Sequence, residues 1–129
     1  MIALDTNDLV RYIVQDGGNQ AETAAQVIEA QLTETNPGFV SLPVICELAW
    51  TLRTRYKRSR DDVSAVILLL MDAHQLVIDQ QDLITNAIND DRADIVDSII
   101  HYLGSEQGCT KTVTFDKKFA RLSGVTLLE

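Results

Sequence analysis

Four acids, Asp5, Glu47, Asp97 and Asp116, stand where carboxylates can do chemistry together. Asp5 directly follows the short apolar run Ile2-Ala3-Leu4, and Asp116 follows Thr112-Val113-Thr114 after a single Phe. Glu47 is expected in the first turn of a helix that follows the run Phe39-Val40-Ser41, and Asp97 on the helix preceding Thr112. If these runs are strands of a parallel sheet, their C-terminal ends lie along one edge, where open α/β folds place their sites. The four carboxylates are therefore expected to converge in one pocket. Carboxylates gathered in this way repel one another and resist ionisation. Bound cations relieve the repulsion, and hard oxygen donors select Mg2+ or Mn2+. Such ions turn water into a nucleophile and stabilise both oxygens of an in-line phosphodiester displacement. The same acids also have a plainer reading. Asp is a favoured helix N-cap, and an acid in a first helical turn complements the helix dipole. On that reading Asp5 and Asp116 are caps, Glu47 a dipole acid and Asp97 a solvated helix residue.

Asp94 precedes Asp97 by three residues and shares its helix face, so either has the spacing to reach a cation, and Asp94 is also placed to cap the helix. His101, four residues past Asp97, is expected to be solvent-exposed or paired with Asp97. Arg53, Arg55, Lys57, Arg58 and Arg60 put five cations within eight residues, and Lys117, Lys118 and Arg121 form a weaker group. The longer run is either the solvated end of a helix or a rim for phosphates. Trp50 is expected on the buried face of the third helix rather than as a base-stacking platform.

Hydrophobic periodicity supplies the elements that must hold these residues. A strand over 2–4 runs into a helix over about 6–15, capped by Asp5 or Thr6. Gly17-Gly18-Asn19 breaks it, and Ala21, Ala24, Ala25, Ile28 and Leu32 mark a second helix over 20–32. After a strand at 39–41, Pro43 suits the first turn of a helix whose apolar face is Val44, Ile45, Leu48, Ala49 and Leu52. Ser59-Arg60-Asp61-Asp62 caps a helix over 63–71. A strand at 76–78, helices near 83–89 and 94–105, a strand at 112–114, a short helix capped by Asp116 and a last strand at 125–127 complete the chain. Short apolar strands alternating with helices predict an α/β fold. We expect one three-layer domain over residues 1–129, with a mainly parallel central sheet flanked by helices.

The composition sets limits. The 129 residues, 46% of them hydrophobic, suffice for one core. No run of 18 apolar residues occurs, so no membrane span is expected. The start of the chain lacks the basic and apolar regions of a signal peptide, which makes the cytoplasm the expected location. Two cysteines, Cys46 and Cys109, make neither a disulfide framework nor a zinc site. The net charge of −8 opposes nucleic acid when taken as a sum, so local cations matter.

Several segments resemble the PIN-domain family, in particular toxins of the VapC type. Met1–Val14, MIALDTNDLVRYIV, is similar to the family's opening strand, Leu-Asp-Thr-Asn and apolar helix. Leu42–Leu52, with Cys46-Glu47-Leu48, resembles its second segment. Ala93-Asp94-Ile95-Val96-Asp97-Ser98-Ile99-Ile100 resembles its third, and Val113-Thr114-Phe115-Asp116-Lys117-Lys118-Phe119 its fourth. The order and rough spacing hold over essentially the whole chain. The resemblance implies that Asp5, Glu47 and Asp97 are the core acids that hold Mg2+ or Mn2+, with Asp116 the fourth, more variable one. It favours Asp97 over Asp94, leaving Asp94 as a cap or outer acid. Thr6, Asn7 and Thr114 match polar positions that orient the acids or a water. Asp8 departs from the pattern, standing where an apolar residue is common. The implied activity is metal-assisted hydrolysis of RNA, with the Arg53–Arg60 cations contacting the substrate. The implied partners are a small antitoxin protein and a second copy in a homodimer. A phosphoaspartyl phosphatase would need Asp-x-Asp after the first strand, where this chain has Asp5-Thr6-Asn7-Asp8. A receiver would need a late Lys at the end of a strand, and Lys111 starts one. A non-catalytic module whose acids are only caps is the remaining alternative.

Overall fold

The computed structural model describes residues 1–15 and 17–129. The chain divides into two compact units, Met1–Gln80 and Gln81–Glu129. In the first unit, β1 (Ile2–Ala3) leads to α1 (Thr6–Val14) and α2 (Asn19–Ala25). A π-helical stretch, Gln26–Gln31, prolongs α2, and the Leu32 N–H closes its last wide turn on the Val27 carbonyl at 3.0 Å. Then come β2 (Gly38–Val40), α3 (Leu42–Thr54), α4 (Arg60–Asp72) and β3 (Leu76–Ile78). The strands pair in the order β1-β2-β3, all parallel, with Ile2 beside Gly38 and Gly38 beside Leu76. Leu9, Ile28, Val40, Ile45, Leu48, Leu52 and Ile67 are buried in this unit's core.

Glycine at position 38 sits in a crowded place. A Cβ there would lie 2.7 Å from Leu32 Cδ1, 3.0 Å from Leu4 Cδ1 and 3.1 Å from Leu76 Cδ2.

The second unit contains α5 (Gln81–Asn89), α6 (Ile95–Glu106), β4 (Thr112–Thr114), a single 3-10 turn (Phe119–Arg121) and β5 (Val125–Leu127). Strands β4 and β5 are parallel, and α5 packs against α6. Ala93, Phe119, Leu122 and Val125 form a small apolar cluster in this unit, with Ala120 packed against it.

The mixed α/β class, the parallel strands and their flanking helices are those the periodicity predicts. Four details differ. Helix α4 opens at Arg60 rather than at Val63, because Ser59 itself is its cap. Pro43 lies in the first turn of α3, as expected, but Glu47 is the sixth residue of the helix and so falls in its second turn rather than its first. Trp50 is 65% exposed, because the buried line of α3 runs through Ile45, Leu48, Ala49 and Leu52 and leaves position 50 on the outer side. His101 is buried at 9% exposure rather than solvated or paired with Asp97. Among the described residues no helix is long and apolar enough to cross a membrane.

Candidate active site

In the first unit the strand-to-helix junction fixes Asp5. It is the N-cap of α1, in extended backbone, and its Oδ1 accepts the Thr6 N–H at 2.8 Å. A reciprocal capping box completes the turn. The N–H of Asp8 reaches the Asp5 side chain, and the N–H of Asp5 donates to Asp8 Oδ2 at 3.0 Å. Asp8, where the resemblance leads one to expect an apolar residue, thus has a local role as the second half of that box. Asp5 and Asn7 are exposed, while Thr6 is buried and its Oγ1 has no hydrogen-bond partner. Glu47 is exposed on α3, which packs against α1. Burial, and then the Glu47 charge, push the adjacent Cys46 thiol up.

One acid at the same sheet edge escaped the sequence reading. Asp79 directly follows β3; its N–H donates to the Val40 carbonyl at 2.9 Å, and its Oδ2 accepts the Leu42 N–H at 3.3 Å. It ties the end of β3 to the start of α3. The available signal was an Asp directly after an apolar run, the same address that marked Asp5.

In the second unit, Asp94 is the N-cap of α6 and accepts the Val96 N–H at 3.0 Å. Asp97, one turn on, is half-buried, and its carboxyl is raised above the ordinary aspartate value. Burial is the largest cause, the charges of Asp94 and Asp116 add to it, and Lys118 opposes it. Asp116 is held by a compact turn. Its N–H donates to Thr114 Oγ1 at 3.0 Å, and its Oδ1 accepts the N–H groups of Lys118 at 2.8 Å and Phe119 at 3.2 Å. Upstream, Arg92 grips Asp90 with two bonds of 2.9 Å, and the Tyr102 hydroxyl adds a third at 3.1 Å. The Asp90 carboxyl is lowered to about 2, chiefly by Arg92, and this clamp secures the turn into α6. His101 Nδ1 lies 2.7 Å from Thr112 Oγ1, joining α6 to β4. The Ser98 hydroxyl, beside Asp97 in sequence, is fully buried without a partner.

The cationic run closes α3 and turns into α4. Arg53 Nη1 donates to the Arg58 carbonyl at 3.4 Å, and the Arg55 guanidinium sits 5.8 Å from the centre of the Tyr56 ring. Lys57 takes a left-handed backbone at φ 56°, and Arg60 opens α4. Arg55 and Lys57 are exposed; Arg53, Arg58 and Arg60 are half-buried.

Asp5 and Glu47 therefore belong to the first unit, and Asp94, Asp97 and Asp116 to the second. Electrostatic coupling joins Asp97 to Asp94, Asp116 and Lys118. Among the described residues, no three His, Cys, Asp or Glu side chains are gathered closely enough to hold a metal ion. The donor chemistry nevertheless suits a hard divalent cation. The candidates are all carboxylates, and Asp97 carries the like-charge load that a cation relieves. Residues 2–125 match a family model described as PIN domain. No curated protein matches the chain.

Proposed function

The chain belongs to the PIN-domain family, and from that premise we propose that it is a metal-dependent endoribonuclease, the toxin half of a VapC-type toxin–antitoxin pair. PIN domains are generally metal-dependent nucleases. The observation that carries the reading in this chain is Asp97, a half-buried carboxylate whose ionisation is opposed by two neighbouring aspartates. Such an acid is costly to keep unless a cation uses it.

Asp5, Glu47, Asp97 and Asp116 are the residues that would hold Mg2+ or Mn2+. When bound, the ion supplies an activated water and charge stabilisation at the phosphate. The chain's own groups do the positioning. The Thr114 hydroxyl and the turn amides orient Asp116, the Asp94 cap fixes the first turn of α6, and the Asp90–Arg92–Tyr102 clamp holds the approach to it. Lys118, within electrostatic range of Asp97, places a positive charge where a substrate phosphate arrives. Arg53, Arg55, Lys57, Arg58 and Arg60 are the proposed contacts to the RNA backbone. A small antitoxin protein, a homodimer and a cytoplasmic location belong to the same reading.

Cleavage of a labelled single-stranded RNA in Mn2+, beside thermal melting with and without the ion, tests it. Asp97→Asn is expected to lower cleavage by at least about 100-fold, since even groups that only support a metal ligand cost 10–100-fold. Millimolar Mn2+ should raise the melting temperature by binding the folded state, and Asp5→Asn should abolish that response. Wild-type cleavage by Asp97→Asn overturns the assignment. Melting indifferent to both Mn2+ and Mg2+ leaves the non-catalytic reading.

A further inference from the structure

Trp50 is the chain's single tryptophan, and its large apolar side chain is left 65% exposed. Such a side chain on a helix that had a buried face available calls for a use. Trp50 lies three residues after Glu47 on α3, on the same side of the helix and about one 5.4 Å turn further along. Its neighbours along that outer side of α3 are one apolar and two polar residues. Pro43, Glu47 and Thr54 are exposed, and the Thr54 hydroxyl donates to the Trp50 carbonyl at 2.8 Å. Arg53 follows Trp50 by three residues, and Arg55, Lys57 and Arg58 continue where the helix ends. An exposed aromatic side chain followed along the chain by cations, of which Arg55 and Lys57 are exposed, matches the composition of a single-strand binding surface, in which bases stack and cations track the backbone.

We propose that Trp50 is a stacking platform for one base of a single-stranded RNA, the nucleotide next to the phosphate that Glu47 serves. The proposal rests on the ribonuclease reading for the nature of the polymer. The competing occupant is a second copy of the chain. The setting favours RNA, because interface cores are depleted of charge whereas Trp50 is flanked by Glu47 and Arg53. Stacking tolerates any base, so the platform contributes affinity and register without reading sequence.

With one indole in the chain, tryptophan fluorescence reports on this site alone. The titration uses the full chain in EDTA, where no metal-dependent cleavage occurs, with a short oligoadenylate and a matched abasic ribose-phosphate oligomer. Oligoadenylate is expected to quench saturably. The abasic oligomer is expected to bind more weakly and leave the fluorescence unchanged. Trp50→Ala should weaken oligoadenylate binding by at least about fivefold, the low end for one stacked base, while Trp50→Phe keeps part of the affinity. Melting curves of both variants should match wild type, since the side chain is not part of the core. The proposal is overturned if Trp50→Ala binds oligoadenylate as wild type does, or if the abasic oligomer quenches equally. It is also overturned if sedimentation shows a dimer that Trp50→Ala converts to monomer, which assigns the face to a second copy. The two readings fail separately. Unimpaired cleavage by Asp97→Asn removes the nuclease assignment, whereas the titration in EDTA does not involve cleavage.

Discussion

An ionisable side chain placed against others of its own charge makes folding depend on pH, and Asp97 is such a residue. Burial, Asp94 and Asp116 raise its folded-state pKa above the unfolded value. The folded chain therefore holds that proton more tightly, and stability is lost as pH rises through the folded value. At pH 7 and without metal the full cost is present. Asp97→Asn is expected to melt at a higher temperature than wild type in EDTA at pH 7, with the difference vanishing below the ordinary aspartate value of about 3.9. Melting curves in EDTA across a pH series would show it, and equal melting temperatures at pH 7 would mean that Asp97 carries no such load. The sequence marked Asp97 because its position in a motif is a local property. It misjudged His101 because burial there depends on a partner, Thr112, eleven residues away. Trp50 was misjudged for a geometric reason. It stands two positions past Leu48, roughly 200° around the helix, although Ala49 and Leu52 on either side are buried.

Elements were easier to read than single residues. Helical and alternating periods give the type of a segment, and caps give its edge; Ser59, whose Oγ accepts the Asp62 N–H at 3.1 Å, ends the ambiguity before α4. What periodicity could not supply was the widened turn at Gln26–Gln31, since Ile28 and Leu32 lie on one face of an α-helix and of a π-helix alike. Glu47 was placed a turn too early: α3 opens at Leu42, so Glu47 falls in the second turn, which weakens its reading as a dipole acid. The tightest packing restraint at this scale is at Gly38 in β2. Its Cα hydrogen faces Leu4, Leu32 and Leu76, so Gly38→Ala must displace three packed leucines. Such overpacking costs about 1–3 kcal/mol. Urea denaturation would measure it, with a lowered midpoint expected and an unchanged one meaning that the leucines move aside freely.

At the scale of the whole chain, a protein with a net charge of −8 is proposed to bind a polyanion. Local cations must then outweigh the sum, and ionic strength is the natural probe. Each phosphate neutralised on a single strand contributes about −0.7 to the slope of log affinity against log salt. Replacing Arg55, Lys57 and Arg58 with Gln should flatten that slope toward zero by up to about 2 units and weaken binding, without changing the Mn2+ effect on melting. Fluorescence anisotropy across a salt series reads it. An unchanged slope would move the RNA path to Lys117, Lys118 and Arg121. The division at Gln80 was not read, because the four polar residues Asp79-Gln80-Gln81-Asp82 that cover it contain no proline or glycine and look like an ordinary strand-to-helix turn. It is a division of contacts, and contacts between distant residues leave no compositional trace. The α/β class was legible because it needs only the alternation of short apolar runs with amphipathic ones.

The capping box at Asp5 has a consequence for genetics. Asparagine caps a helix about as well as aspartate, whereas alanine at an N-cap costs about 1 kcal/mol. On the proposed assignment of Asp5 to the metal site, two inactive alleles of the same codon would differ in kind. Asp5→Asn would then yield an inert protein at ordinary abundance, able to occupy whatever the active protein occupies. Asp5→Ala yields an inert protein that is also less stable, and a loss of that size changes cellular abundance several-fold. The first allele competes with the active copy, and the second tends to disappear.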